Sequence, residues 1–245
     1  MAKVVEVLSN AQMASCKNIV EWIESKLAGS PWSVVYSVNT ANGKARYFTN
    51  GIYTIAIGGT AENETVDGIS MLTNYLYIKL IQTKNANETE VPTGQNYTGI
   101  FNDSGSSITF PTSQTWLLVY TNNYFFVRCP EISLSFGIFT ITAETLKAGL
   151  VVRTSGLSRI SSMKNTSVTT DGSLITLSDV GTGAYTGGAT DIALIPYFQK
   201  QANMIFPQQA GVYRPTGQSQ AFLDEVTDGV NNHVIVIPNS LALRY

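Results

Sequence analysis

Apolar positions along the chain change their period once, and the change separates a helical start from an extended remainder. Met13, Cys16, Ile19, Val20, Ile23 and Leu27 recur at three- and four-residue spacing, with Lys17, Glu21, Glu24 and Lys26 on the opposite side. The pattern predicts an amphipathic helix over residues 9–28, about five turns long, capped by Ser9 or Asn10 and stopped by Gly29 and Pro31. Its single stripe, widened by Trp22, suits it to cover a sheet face. From Trp32 the period falls to two, with Trp32, Val34, Tyr36 and Val38 on one face and Ser33, Val35, Ser37 and Asn39 on the other. Asn42-Gly43 then supplies a turn before a returning strand over residues 44–49. A further strand is expected over residues 52–57, closed by Gly58-Gly59. Residues 69–82 fit both a helical and a strand face, and the β-rich surroundings favour strand.

The strongest local signal is TWLLVYT (115–121), Asn122-Asn123, then YFFVRC (124–129). Two apolar runs flank an Asn pair able to adopt positive φ, which predicts a central hairpin buried on both faces and ended by Pro130. A strand over 132–142 (ISLSFGIFTIT) follows, with Ile132, Leu134, Phe136 and Ile138 on one face. Gly137 inside it marks a bulge or a close backbone approach. Residues 83–105 are polar and read as a long loop of the kind that carries function or an interface. Beyond Gly149 shorter strands are expected at 174–177, 192–198, 204–206 and 233–237, with Pro196 at an edge or a break.

Composition narrows the functional classes. Only 13% of the 245 residues are charged and the net charge is -2, so an electrostatic nucleic-acid binder is disfavoured. No apolar run reaches the ~18 residues of a membrane span, and the opening stretch lacks the continuous apolar region of a secretory signal. The two cysteines, Cys16 and Cys129, make neither a disulfide framework nor a zinc site. Ser, Thr and Asn make up about a quarter of the chain. Such hydroxyl and amide surfaces suit β-sheets, and they also suit packed assemblies, where a buried charge carries a desolvation cost.

Candidate chemistry is sparse. The single histidine, His233, stands at the start of an apolar run with no G-x-S-x-G in the chain, which favours a strand-start residue over a catalytic base. Asp224, Glu225 and Asp228 lack the alternating spacing of a calcium loop. Residues 181–189 (GTGAYTGGA) have the glycines of a phosphate-binding loop without the following Lys-Ser or Lys-Thr. The five N-x-Ser/Thr sequons at Asn63, Asn87, Asn96, Asn102 and Asn165 are what this composition produces by chance. No catalytic, cofactor-binding or metal-binding residue is assigned, and no cofactor is expected.

A capped helix running into Trp32, then WLLVYT-NN-YFFVRC and SLSFGIFTI, resembles structural proteins of tailed-bacteriophage virions. Their hairpin is similar to residues 116–128, their aromatic-Gly-aliphatic strand to Phe136-Gly137-Ile138, and their closing strand and tail to NNHVIVIPNSLALRY. The Gly-Trp step of those proteins departs here, with Ser30 and Pro31 between Gly29 and Trp32. The resemblance implies a multi-copy, non-enzymatic component of the tail, baseplate, collar or fibre-attachment region, located in the virion after assembly in the host cytoplasm. Its partners would be copies of itself and other virion proteins, reached by the N-terminal helix, residues 83–105 and residues 207–245, with neither nucleic acid nor membrane.

The expected fold is mainly β, antiparallel sheets or a β-sandwich with one N-terminal amphipathic helix. Residues 1–206 are expected to form a β-rich core and 207–245 a C-terminal extension with a closing strand, with a single domain as the alternative. Two further functions remain open. In the first, a carbohydrate-binding or host-attachment module would stack Trp32, Trp116 or some of the 12 tyrosines on the sugar rings of a host-surface glycan, although strand alternation places both tryptophans in a core. In the second, a hydrolase would use carboxylates such as Asp224 and Glu225.

Overall fold

The computed structural model describes residues 4–11, 13–51, 53–82, 97–102, 109–122, 124–143, 146–155, 157–162, 175–176, 180–182, 192–201, 204–206, 212–217, 221–227, 232–237 and 241–244. The chain begins with β1 (Val4–Ala11), α1 (Cys16–Leu27), β2 (Ser33–Asn39), β3 (Gly43–Thr49) and β4 (Tyr53–Thr60). There follow β5 (Glu64–Val66), β6 (Ile69–Met71), β7 (Leu76–Gln82), β8 (Tyr97–Phe101), β9 (Gln114–Tyr120) and β10 (Tyr124–Cys129). A 3-10 turn, Pro130–Ile132, leads to β11 (Leu134–Ala143), β12 (Leu146–Ser155), β13 (Leu157–Ser162), β14 (Ile175–Thr176) and β15 (Val180–Thr182). The remainder is β16 (Ile192–Gln201), β17 (Met204–Phe206), β18 (Val212–Gly217), β19 (Glu225–Thr227), β20 (Asn232–Ile237) and β21 (Leu241–Arg244).

The fold is mainly β, with antiparallel sheets and one helix near the N-terminus, as the sequence predicts. One sheet has the order β2-β3-β4-β7-β8, a second β1-β9-β10-β11-β12-β13-β14, and a third β15-β16-β18-β21-β20-β19 with β17 beside β16. The hairpin β5-β6 stands apart from them. The boundary expected at residue 206 falls within the third sheet, because β16 on one side of it pairs with β18 on the other. Pro196 lies where β16 changes partners: residues 192–196 pair with β18 and residues 197–199 with β15. A residue with no N–H is tolerated at such an exchange.

The helix is shorter than its periodicity suggests. Residues 4–11 are the strand β1, laid antiparallel on β9 from Val4 opposite Tyr120 to Leu8 opposite Trp116. Ladder bonds to a buried strand outweigh local helical preference here. Ser15, not Ser9 or Asn10, is the cap: its backbone is extended and its Oγ accepts the Asn18 N–H at 3.3 Å. The expected stop is correct, with Gly29 just past the helix at φ +78.

The apolar side of α1 is buried with Trp32 against Phe48, Ile55, Ile57, Leu76 and Ile78 of the first sheet and Trp116, Leu118, Phe125 and Val127 of the second. Leu117, Val119, Tyr124 and Phe126, on the opposite faces of β9 and β10, are also buried, as expected for this hairpin. The far face of the first sheet carries Ala45, Tyr47 and Tyr77, which pack with Val66, Ile69, Met71 and Tyr75 around the β5-β6 hairpin.

Three other expectations are corrected. Gly58-Gly59 does not close a strand but lies inside β4, because a Cβ at Gly59 would collide with the Cys16 carbonyl and one at Gly58 with the Tyr77 ring. Residues 83–105 are not one loop, since β8 lies within them and pairs with β7; residues 83–96 and 103–108 lie outside the described residues. The strands beyond Gly149 are not uniformly short, since β12 and β16 each have 10 residues. At Gly137 the pairing with β10 is unbroken, so the glycine serves a close approach: its Cβ would come within 2.5 Å of the Phe125 carbonyl oxygen.

Gly→Ala normally stabilises an extended position slightly by restricting the unfolded chain. Gly59→Ala is expected to do the opposite, lowering stability by ~1–3 kcal/mol in urea unfolding, because the first turn of α1 must lift off β4. An unchanged midpoint would contradict this packing.

Candidate functional site

The residues singled out for chemistry do not assemble. His233 is fully buried inside β20, opposite Val226 of β19 and Arg244 of β21. Asp224 and Glu225 are exposed, and Asp224 Oδ2 accepts the Ala221 N–H at 2.6 Å to close a turn. Asp228 lies outside the described residues; Gly181 and Thr182 belong to β15, and residues 183–189 lie outside them as well. Among the described residues no group of three or more His, Cys, Asp or Glu side chains could hold a metal ion. No helix there is long and apolar enough to cross a membrane.

Both thiols are structural. Burial pushes Cys16 well above the ordinary thiol range, and its Sγ donates to the Asn74 carbonyl at 3.1 Å. Burial, with the neighbouring Glu131 carboxylate, pushes Cys129 up to about 12. At neutral pH neither supplies a thiolate, the nucleophilic form.

The tryptophans named for sugar stacking are core residues. Trp32 is 1% exposed and its Nε1 donates to the Thr121 carbonyl at 2.8 Å. Trp116 is wholly buried and donates to Gln114 Oε1 at 2.7 Å. Gln114 itself donates to the carbonyls of Met13 and Pro111, so one buried amide joins β9 to the chain entering α1. With their faces covered, neither indole can serve as a platform.

Polar groups that sequence reading did not single out form ties between elements. Arg46 donates through Nε to Glu24 at 2.5 Å and through its terminal nitrogens to Asn39 Oδ1 and the Val38 carbonyl. Lys44 reaches both Glu21 and Glu24, at 3.3 and 3.4 Å. Together they fasten the polar side of α1 to β3 and β2. On the far face Asp67, at φ 56 in the β5-β6 turn, accepts hydrogen bonds from Tyr47 (2.5 Å) and Tyr77 (2.9 Å). Burial first and then the Asp67 carboxylate raise both phenols far above their ordinary value, so they remain donors. Glu64 accepts from the Thr40 hydroxyl and the Asn42 N–H, which holds the β2-β3 turn against β5. Such spatial clusters leave no local sequence signal, because the ties of Glu64 to Thr40, Glu24 to Arg46 and Asp67 to Tyr47 join residues 20 or more positions apart.

What stands open is β2. It is the terminal strand of its sheet, and Val34, Val35 and Tyr36 are 40%, 58% and 44% exposed. Single exposed apolar residues are ordinary, but three in sequence on an open edge are not. The expected single face for Val34, Tyr36 and Val38 is corrected here. A bulge at Val35 sets Val34 opposite Phe48, on the helix side, and Tyr36 opposite Tyr47, on the far side. Tyr36 packs edge-on against Tyr47 with ring centroids 5.2 Å apart. The adjacent valines of SVVYSVN are the sequence cue, since strict alternation has no place for both.

No protein-family model matches the chain, and comparisons with curated proteins and with solved structures find no match.

Two outcomes follow from these contacts. Thiol reagents are expected to modify Cys16 and Cys129 only at the rate of unfolding, and fast labelling of the native protein would contradict their burial. Burial raises the Glu24 pKa, but the Arg46 and Lys44 contacts outweigh it, so the net shift is below the ordinary 4.5. A depressed folded pKa stabilises above that value, and the contribution is lost as the pH falls through it. Glu24→Gln should therefore cost ~0.5–1 kcal/mol at pH 7, and its denaturation midpoint should converge on the wild type's as the pH falls below 4.5 and Glu24 becomes protonated in the folded protein. A difference that persists in acid would show that Glu24 acts otherwise.

Proposed function

We propose that this chain is a non-enzymatic structural component of a bacteriophage virion, making subunit-subunit contacts in the tail, baseplate or collar region. The observation that carries the assembly reading is the open, uncharged β2 edge with its exposed Val34, Val35 and Tyr36. Large apolar side chains collected at one place mark protein contact sites. The virion setting comes from the resemblance of the 116–128 hairpin and the Phe136-Gly137-Ile138 strand to tailed-phage structural proteins. The low charge of the chain is consistent with repeated burial between subunits.

The expected means of contact changes in one respect. The apolar side of α1 is spent on its own sheets, so the helix fastens the subunit internally and presents only its polar side outward. The host-attachment alternative loses Trp32 and Trp116, the two tryptophans among the platforms named for it.

The test is to look for the chain in purified particles of the phage that encodes it, by quantitative mass spectrometry, beside sedimentation of the isolated protein. Multiple copies per particle and concentration-dependent association are expected. A protein missing from particles and monomeric at all concentrations would overturn the proposal.

A further inference from the structure

We propose that β2 is a self-association edge, on which β2 of a second copy of this chain adds antiparallel about a two-fold axis through Ser37. The inference rests on the assembly reading above and deepens it by naming the surface, the occupant and the register.

The backbone fixes which groups are offered. The Thr40 N–H donates to the Gly43 carbonyl at 3.0 Å at the mouth of the β2-β3 turn. In an antiparallel ladder bonded and non-bonded pairs alternate. Val38 opposite Ala45 and Tyr36 opposite Tyr47 are then bonded pairs, while Ser37, opposite Arg46, and Asn39, opposite Lys44, turn their N–H and C=O groups away from β3. Among the described residues no strand lies on that side.

Natural edges are blunted by charge, by proline, by bulges or by covering elements, and of these β2 has, among the described residues, only the bulge at Val35, which leaves Tyr36 to Asn39 in regular register. From Ser33 to Asn39 β2 has no charged residue and no proline. Its occupant must be an extended segment that is also uncharged and apolar at alternate positions, and β2 itself meets that description. Paired through Ser37, each Ser37 exchanges two backbone hydrogen bonds with its copy. Tyr36 then lies opposite Val38 of the second copy, twice over by symmetry, and both belong to the face that carries Tyr47 and Ala45. Aromatic and β-branched side chains make favourable cross-strand pairs.

The bulge selects this register. A centre nearer Val34 would set the irregular Val35 of both copies within the paired segment, and one nearer Asn39 would move Tyr36 past Val38. A two-fold dimer is also the commonest closed symmetry for a homo-oligomer.

The test uses the full chain. Sedimentation should show a reversible dimer in the wild type. Ser37→Pro removes a donor that faces away from β3, so it should raise the dimer dissociation constant roughly tenfold or more without shifting the denaturation midpoint measured at concentrations where both proteins are monomeric. Tyr36→Lys should do the same by placing a charge on the edge, whereas Leu72→Lys, at an equally exposed apolar residue off the edge, should leave the dimer intact.

Register is read by cross-linking. With both native thiols buried, Ser37→Cys should form a disulfide dimer on mild oxidation, since bonded antiparallel partners have Cα atoms ~5.5 Å apart, inside the disulfide range. Val35→Cys should not, because its copies lie four residues apart, about 13 Å along the strand. A wild-type oligomer untouched by Ser37→Pro and Tyr36→Lys would overturn the β2 edge and leave the assembly reading standing. Preferential cross-linking of Val35→Cys would overturn the register, and a strict monomer would overturn both the edge and the self-assembly it rests on.

Discussion

The burial of α1 and Trp32 in one layer with two sheets is the constraint on which the N-terminal architecture depends. Trp22 meets Trp116 at 5.9 Å between ring centroids, Trp32 meets Phe125 edge-on at 5.0 Å, and Phe48 reaches the same Phe125 at 6.2 Å. Each such pair contributes ~0.5–1.5 kcal/mol beyond the area it buries. Their greater consequence is geometric. Phe125 touches a ring from the helix-to-strand connection and one from β3, so the β9-β10 hairpin is held to the first sheet on two sides. The Trp32 bond to the Thr121 carbonyl fixes the hairpin's turn at the same point. Gly59 permits the layer to close at its other end, where the Cys16 carbonyl approaches β4.

Most of the strands up to Ala143 were legible, because hairpin signals are local. Asn42, at the connection from β2 to β3, and Asn122, at that from β9 to β10, each stand between apolar runs and mark two turns that the fold contains. The start of α1 was not legible, since β1 runs on to Ala11, inside the expected helix, only through partners more than a hundred residues away on β9, Ala11 lying opposite Gln114. Nor could a glycine pair such as Gly58-Gly59 be assigned from its neighbours: as local punctuation it ends a strand, and as a site of close approach it continues one. Strand β8 was hidden in a polar stretch because its sequence, YTGIF, is short and gains its place by pairing with β7. The buried state of Trp32 and Trp116 was readable from alternation, whereas the ties of Glu24, Glu64 and Asp67 depend on which turns meet.

Those ties also explain the electrostatic character of the surface. Lys44, Arg46, Glu21, Glu24, Glu64 and Asp67 are charged residues of a chain that has few, and each is engaged in joining one element to another. Partly exposed pairs contribute little individually. Their value is in orientation, because Arg46 also binds the Val38 carbonyl and the Asn39 amide and so fixes the last residues of β2 relative to α1. Charge committed in this way is not available to guard the outer side of β2.

The bulge at Val35 bears on the same point from the opposite direction. A bulge is one of the devices that turn an edge strand away from unwanted partners, and here it rotates Val34 to the helix side. It acts on the first half of β2 alone: Tyr36 to Asn39 remain in regular register with β3, held by Arg46 from one side and by the Thr40 and Glu64 contacts at the turn. Protection confined to half a strand leaves the other half both ordered and open. An edge guarded along its whole length needs no fixed geometry, and one left entirely open accepts any register. A strand with one irregular and one regular half defines where pairing begins, and so the feature that narrows the edge also gives it specificity.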